Sequence, residues 1–312
     1  MTDAVRWGVL GFRSHVARHA VLPALAASPT SELVASASRD TLGTGFDPYH
    51  RLLADPAVEA VYLPLPNNLH HEWTLRAAEA GKHVLCEKPL ACSAAQAAEM
   101  VVACEAAGVV LMEAYMSPFH PRAAALAELV AKGGLGDLRF GRSTFTFTHR
   151  DRADYRWRPE MGGGALLDVG VYCLAPLLDA AGRPPVTVAA TEVRSETGVD
   201  ASFSGWLDFG TGFTAGFAVS FEAPERQHLE LVGTRATALV DDAFAAGAPG
   251  QRGRVLLENG GVEILSGDDD DPYRQMLEHF DAVVRGRTEA MRPPSASVEL
   301  LAVVDRLREA AA

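Results

Sequence analysis

The first third of the chain repeats one pattern, a short apolar run followed by an Ala/Leu-rich stretch with helical spacing, and this alternation leaves few folds open. The runs Val5–Leu10, Glu32–Ser38, Glu59–Leu63, His83–Cys86 and Val109–Met112 are candidate strands, and Ser14–Ala27, Asn67–Ala80 and Ser93–Ala107 are candidate helices. Gly81 and Gly108 directly follow the second and third of these helices, where a left-handed residue closes a helical turn. Strands joined by helices run parallel, so the segment is read as a doubly wound parallel sheet.

Near Ser117-Pro118 the pattern changes. A helix over 121–132 ends at Gly133-Gly134, and longer alternating runs follow at Leu138–Thr148, Val186–Arg194, Ser202–Phe209, Phe213–Phe221 and His228–Val232. Alternation such as Phe145-Thr-Phe147-Thr buries one face and leaves the other polar, as in an open antiparallel sheet. One apolar helix, Gly164–Ala181, interrupts these strands, and two more start at Pro272 and Ser295. The acidic run Asp268–Asp271 is read as a solvated loop in which Asp271 caps the helix opening at Pro272. The expected fold is α/β: a Rossmann doubly wound domain over residues 1–117, then an α+β domain over 118–312 with an open, largely antiparallel sheet.

Hydrophobic residues make up 48% of the 312, enough for two packed cores, and the net charge of -12 repels phosphate backbones, which argues against a nucleic-acid partner. The chain begins directly with a strand pattern, without a leader-like apolar segment, and no long uncharged apolar run marks a membrane span. Cys86, Cys92, Cys104 and Cys173 form no C-x-x-C pair and read as reduced thiols. No His/Cys/carboxylate set has metal-ligand spacing, so no metal is expected. These features together predict a cytoplasmic protein with no membrane partner.

A turn between the first strand and first helix of such a sheet brings backbone N–H groups to a pyrophosphate. Here the turn is Gly11-Phe12-Arg13-Ser14, with Ala17 as the small residue for helix–strand contact. The second glycine of G-x-G-x-x-G is replaced by Arg13 or Ser14, so the motif alone fits a plain strand-to-helix turn equally well. The second strand ends in Ser38-Arg39-Asp40, where this fold meets the adenosine ribose. Ser38 and Arg39 favour the 2′-phosphate of NADP(H), whereas Asp40 leaves NAD(H) open.

Two stretches carry a more specific signature. The first runs Leu65-Pro66-Asn67-Asn68-Leu-His70 and continues into Glu87-Lys88-Pro89. The second is Tyr155-Arg156-Trp157-Arg158 followed by Gly162-Gly163-Gly164 and Asp168-Val-Gly170-Val-Tyr172. Together they resemble the glucose–fructose oxidoreductase / inositol dehydrogenase (Gfo/Idh/MocA) family, in particular its sugar 3-ketoreductase, dimeric dihydrodiol dehydrogenase and xylose dehydrogenase members. The resemblance implies that Lys88 lies beside the nicotinamide and that Asp168 and Tyr172 face it from the second domain. It implies that Leu65, Pro66, Asn67 and His70 line the cofactor cleft, with Glu87 and Pro89 near the nicotinamide ribose. Trp157 and Arg158 then reach the cofactor from the substrate domain. It also implies a homodimer or homotetramer assembled through the open sheet face.

The chemistry is consistent with these roles. Reducing a ketone needs a hydride donor and a proton for the forming alkoxide. A tyrosine can supply the proton, and a nearby cation such as Lys88 both favours phenolate and stabilises charge on the substrate oxygen. Asp168 and Tyr172 are four apart and share a helix face, with pairing of Asp168 to a neighbouring arginine as the alternative. The preceding glycines let backbone approach a ligand closely. Only Lys82, Lys88 and Lys132 are lysines, so an ammonium in Glu-Lys-Pro stands out in an arginine-biased chain. Tyr115 and His120 follow the fifth strand and are candidate substrate contacts.

One departure from the family pattern is notable. The segment Thr41–Tyr49 is punctuated by Gly and Pro and is read as too brief for the helix the family places there. The reading carried forward is an NADP(H)-dependent oxidoreductase acting on a sugar, sugar nucleotide, polyol or diol. A non-catalytic dinucleotide- or sugar-binding regulatory protein of the same fold is the alternative.

Overall fold

Chain connectivity follows the predicted alternation closely in the first part of the computed structural model, which describes residues 3–39, 47–244, 253–257, 261–265 and 271–312. The elements are β1 (Val5–Leu10), a π-helical turn (Ala17–Val21) running into α1 (Leu22–Ala27), β2 (Ser31–Ala37), α2 (Asp47–Ala54), β3 (Ala60–Leu63), α3 (Asn67–Glu79), β4 (His83–Glu87), α4 (Ala94–Ala107) and β5 (Leu111–Ala114). Among the described residues the strands pair in parallel in the order β2-β1-β3-β4-β5. β3 and β5 are buried at every position, as strands covered on both faces must be. Ser93 Oγ caps α4 by accepting from the Gln96 N–H, and Gly108 ends it with φ 66°.

The helix α2 corrects the reading of Thr41–Tyr49 as too brief for one. Tyr49, Leu52 and Leu53 are its buried stripe, at the i, i+3, i+4 spacing of an amphipathic helix, and Pro48 in the first turn is compatible with it. Gly8 of β1 makes room for it: a Cβ there would stand 2.6 Å from Leu52 Cδ2. The rest of that stretch, with Asp40, lies outside the described residues, as do residues 268–270 of the acidic run.

The remaining elements are α5 (Pro121–Ala131), β6 (Leu138–Thr148), a π-helical turn (Leu166–Gly170) continuing as α6 (Val171–Ala181), β7 (Thr187–Arg194), β8 (Asp200–Asp208), β9 (Thr214–Ser220), β10 (Glu222–Gly233), β11 (Ala236–Asp241), β12 (Gly253–Leu257), β13 (Val262–Leu265), α7 (Pro272–Val284) and α8 (Pro294–Ala311). The sheet order is β13-β12-β11-β10-β6-β9-β8-β7, antiparallel except between β6 and β9. The sequence reading stopped at the fifth of these strands and missed β11 to β13. One face is packed, with Gly141 opposite Leu177 of α6, while Trp206 on the other is 44% exposed. The segment Pro159–Ala181 is apolar enough and long enough to cross a membrane, but 78% of its most apolar window is buried inside the protein, so it is core.

The chain divides into two compact units, Met1–Met116 with Tyr273–Val298, and Ser117–Pro272 with Glu299–Ala312. The sequence had assigned everything after residue 117 to the second domain. Side chains of α7 explain the difference. Asp281 accepts hydrogen bonds from Trp7 Nε1 (3.0 Å), Thr30 Oγ1 (2.8 Å) and Ser31 Oγ (2.5 Å). Arg285 donates to Glu59 Oε2 at 3.1 Å and to the Ala4 carbonyl at 2.9 Å. No local sequence pattern encodes such long-range pairings.

Candidate active site

In the first unit, Gly11 carries the chain from β1 into the first helix. Its N–H donates to the Ala37 carbonyl at 2.7 Å, and its φ of 102° together with the nearby Pro64 carbonyl excludes a side chain. Ser14 Oγ then accepts from the Ala17 N–H at 3.2 Å, so the residue in place of the missing glycine starts the helix. Arg13 is exposed, with its guanidinium carbon 5.8 Å from the centre of the Phe12 ring.

At the end of β2, Ser38 Oγ is buried without a hydrogen-bond partner among the described residues, and Arg39 is exposed. Tyr49 of α2 takes a hydrogen bond from the Arg39 backbone, and burial pushes its hydroxyl pKa up. A buried hydroxyl left unbonded costs free energy unless a ligand or water satisfies it. This orphan beside an exposed arginine, together with the Gly11 turn, fits the ribose-phosphate end of a dinucleotide. Tyr49 was not singled out in the sequence, because its helix was not.

Lys88 is half-buried just past the carboxyl end of β4. The Lys88 N–H donates to Glu87 Oε2 at 3.2 Å, and Glu87 Oε1 accepts from the Tyr62 hydroxyl at 2.6 Å. Burial raises the Glu87 pKa against the pull of Tyr62 and Lys88. Glu87 thus braces the start of the Lys88 loop from inside the unit. Glu113 of β5 accepts from the Leu90 N–H at 2.7 Å and from Ser297 Oγ at 2.6 Å. His70 is fully buried, its Nδ1 2.8 Å from the Pro89 carbonyl and its Nε2 2.8 Å from the Leu65 carbonyl. Burial holds the His70 pKa below its ordinary value, against the pull of those two carbonyls, and Lys88 adds to the lowering. Asn67 and Leu65 are also buried, and Pro66 is half-buried. Lys82, by contrast, is structural: its Nζ donates to the carbonyls of Asp55 and Val58, both at 2.8 Å. Tyr115 is buried with the Arg292 guanidinium 5.7 Å from its ring centre.

In the second unit, Arg156 Nε donates to Asp168 Oδ2 at 2.7 Å and Arg156 Nη1 to Asp154 Oδ1 at 3.2 Å. These carboxylates, Asp168 foremost, raise the Arg156 pKa despite its burial. Pairing with a neighbouring arginine, the alternative weighed for Asp168, is therefore what the structure contains. Tyr172 lies one turn further along the same helix, half-buried, its ring 5.6 Å from Phe145 and 6.0 Å from Phe244. Trp157 is only 1% exposed and stacks on His149 at 6.1 Å, while Arg158 is exposed and donates from Nε to the Ala153 carbonyl at 3.4 Å. His120 serves as the cap of α5, its Nδ1 accepting from the Arg122 N–H at 3.2 Å.

Gly163 and Gly164 let the chain pack closely on itself. A Cβ on Gly163 would stand 2.5 Å from the Arg156 carbonyl oxygen, and one on Gly164 would strike the Asp200 carboxylate. Asp200 Oδ2 accepts from the Leu166 N–H at 2.6 Å. The close approach these glycines allow is, within the chain, one to Arg156 and Asp200.

A doubly wound sheet with a glycine turn and a lysine at a strand's carboxyl end fits a dinucleotide-dependent oxidoreductase. Comparison with known proteins agrees. Residues 5–115 match the oxidoreductase family NAD-binding Rossmann fold, and residues 123–239 match the GFO/IDH/MocA C-terminal domain. The chain belongs to the Gfo/Idh/MocA oxidoreductase family. It is 36% identical to a D-xylose 1-dehydrogenase (NADP(+)) of Haloferax volcanii, over 98% of this chain and 97% of that one. It is 36% identical to a dTDP-3,4-didehydro-2,6-dideoxy-alpha-D-glucose 3-reductase of Saccharopolyspora spinosa, over 92% and 90%. A 3-ketoreductase from Actinomadura kijaniata, solved with NADP and TDP-benzene, superposes with a TM-score of 0.91 at 28% identity, over 99% of this chain and 98% of that one.

Proposed function

We propose that the protein is an NADP(H)-dependent oxidoreductase that moves a hydride to or from a carbon of a sugar, sugar nucleotide, polyol or diol. Lys88 carries the proposal: an ammonium half-buried at the carboxyl end of a parallel strand, on a loop pinned by buried side chains. The bound nicotinamide supplies the hydride. Gly11, Phe12, Arg13 and Ser14 hold the pyrophosphate, and Ser38 and Arg39 the 2′-phosphate, with Tyr49 fixing the Arg39 backbone. Lys88 donates a hydrogen bond to the reacting oxygen, and Tyr172 gives or takes its proton. Asp168, through Arg156, positions the helix that bears Tyr172. The sugar and sugar-nucleotide substrates of the relatives named above support the substrate class. The same reading puts the protein in the cytoplasm, where its cysteines stay reduced, and makes it a homodimer or homotetramer through its open sheet face.

The test is turnover of NADP(H) with D-xylose and with 3-keto sugars, free and nucleotide-linked. Turnover of any of them supports the proposal. Tight NADPH binding with no turnover across aldoses, polyols, diols and keto-sugars would favour the non-catalytic binding protein instead.

A further inference from the structure

The loop that carries Lys88 is held by side chains from three other elements. The Lys88 N–H goes to Glu87, and Pro89 has no N–H to offer. The Pro89 carbonyl goes to His70 of α3 at 2.8 Å, and the Leu90 N–H to Glu113 of β5 at 2.7 Å. His70 and Glu113 are buried; Glu113 has a second anchor in Ser297 Oγ of α8, and the neutral His70 ring lies between the Pro89 and Leu65 carbonyls with one N–H to give. Burying a carboxylate is costly when any neutral acceptor would satisfy one amide. A carboxylate with both oxygens engaged fixes its acceptor direction far better than a rotating hydroxyl.

We infer that Glu113 and His70 are positioning residues for Lys88, acting through the backbone of Leu90 and Pro89 to hold the ammonium where the substrate oxygen meets it. This rests on the role proposed for Lys88. Neither side chain touches substrate. Each fixes the loop, so a displacement of about 1 Å at Lys88 would reduce turnover on the order of 100-fold while leaving cofactor contacts elsewhere intact.

The test compares Glu113→Ala with Glu113→Gln in the full chain. An amide oxygen still accepts from the Leu90 N–H, and the Gln NH2 can donate to Ser297 Oγ. Glu113→Ala is expected to lower kcat about 10- to 100-fold with the NADPH Kd changed less than about threefold, and Glu113→Gln to recover most of the loss. In parallel, the Leu90 amide exchanges faster with solvent in Glu113→Ala and is protected in Glu113→Gln. A folded Glu113→Ala with native kcat and a protected Leu90 amide would overturn the inference, as would equal losses in the two variants, which would point to charge rather than placement. If Glu113→Ala does not fold, Ser297→Ala removes one of the carboxylate's two anchors. Faster Leu90 exchange and a lower kcat are then expected, and native values of both would overturn the inference. If the wild-type protein turns over no sugar, the functional reading fails, while Leu90 exchange and the position of Lys88 in a crystal structure of Glu113→Ala still decide the positioning role.

Discussion

Lys88 and Tyr172 were legible as candidates because each sits in a motif whose chemistry is local: Glu-Lys-Pro after a strand, and a tyrosine four residues past an aspartate on a helix. Their supports were not legible. Tyr62, Glu113 and Ser297 act through partners on other elements, and Tyr62 and Glu113 read as ordinary strand residues, whereas an arginine partner for Asp168 was among the sequence alternatives. Glu87, which the resemblance sets near the nicotinamide ribose, also accepts from Tyr62 and the Lys88 N–H, contacts that no local pattern shows. Lys88→Met removes the cation but keeps the stem, and Tyr172→Phe removes only the hydroxyl. Each is expected to lower kcat by about 100-fold or more while the NADPH Kd moves little, as measured by steady-state kinetics beside equilibrium titration. A Lys88→Met enzyme with native kcat would remove Lys88 from the mechanism.

At the scale of elements, periodicity located β1 and β6 to the residue and most others to within two. It failed where composition overrode pattern. In α2 the stripe of Tyr49, Leu52 and Leu53 lay behind glycines and a proline, and β11 to β13, of six, five and four residues, went unread. In the glycine run before α6, Gly163 lies against the Arg156 carbonyl and Gly164 against the carboxylate of Asp200, which accepts from the Leu166 N–H. Burial pushes the Asp200 pKa up from 3.8 to about 6. The folded protein therefore keeps this proton over a range where the unfolded chain has released it. The group favours the fold most below about pH 4, and the advantage fades as pH rises to about 6, a change of about 3 kcal/mol at most. Asp200→Asn carries no such titration. Its stability relative to wild type, by urea unfolding, is expected to improve between pH 4 and pH 7. Parallel pH profiles of the two proteins would show that Asp200 is not held protonated.

For the whole molecule, the sequence separated a parallel from an antiparallel region but placed α7 with the wrong neighbours, because Asp281 and Arg285 bond to residues near the N-terminus. The open face of the large sheet carries Trp206 and Val193, 44% and 60% exposed, over a floor of small residues such as Ser204, Gly216 and Ala218. If this face joins two copies, Trp206→Glu shifts the mass measured by light scattering toward one chain, whereas a wild-type protein that is monomeric at micromolar concentration contradicts the assembly. NADP(H)-dependent chemistry is checked by titrating the protein with NADPH and NADH, followed by tryptophan quenching. NADP(H)-dependent chemistry predicts tight NADPH binding, weaker NADH binding, and an NADPH Kd raised about 10- to 100-fold by Arg39→Asp. Failure to bind either nucleotide would contradict it.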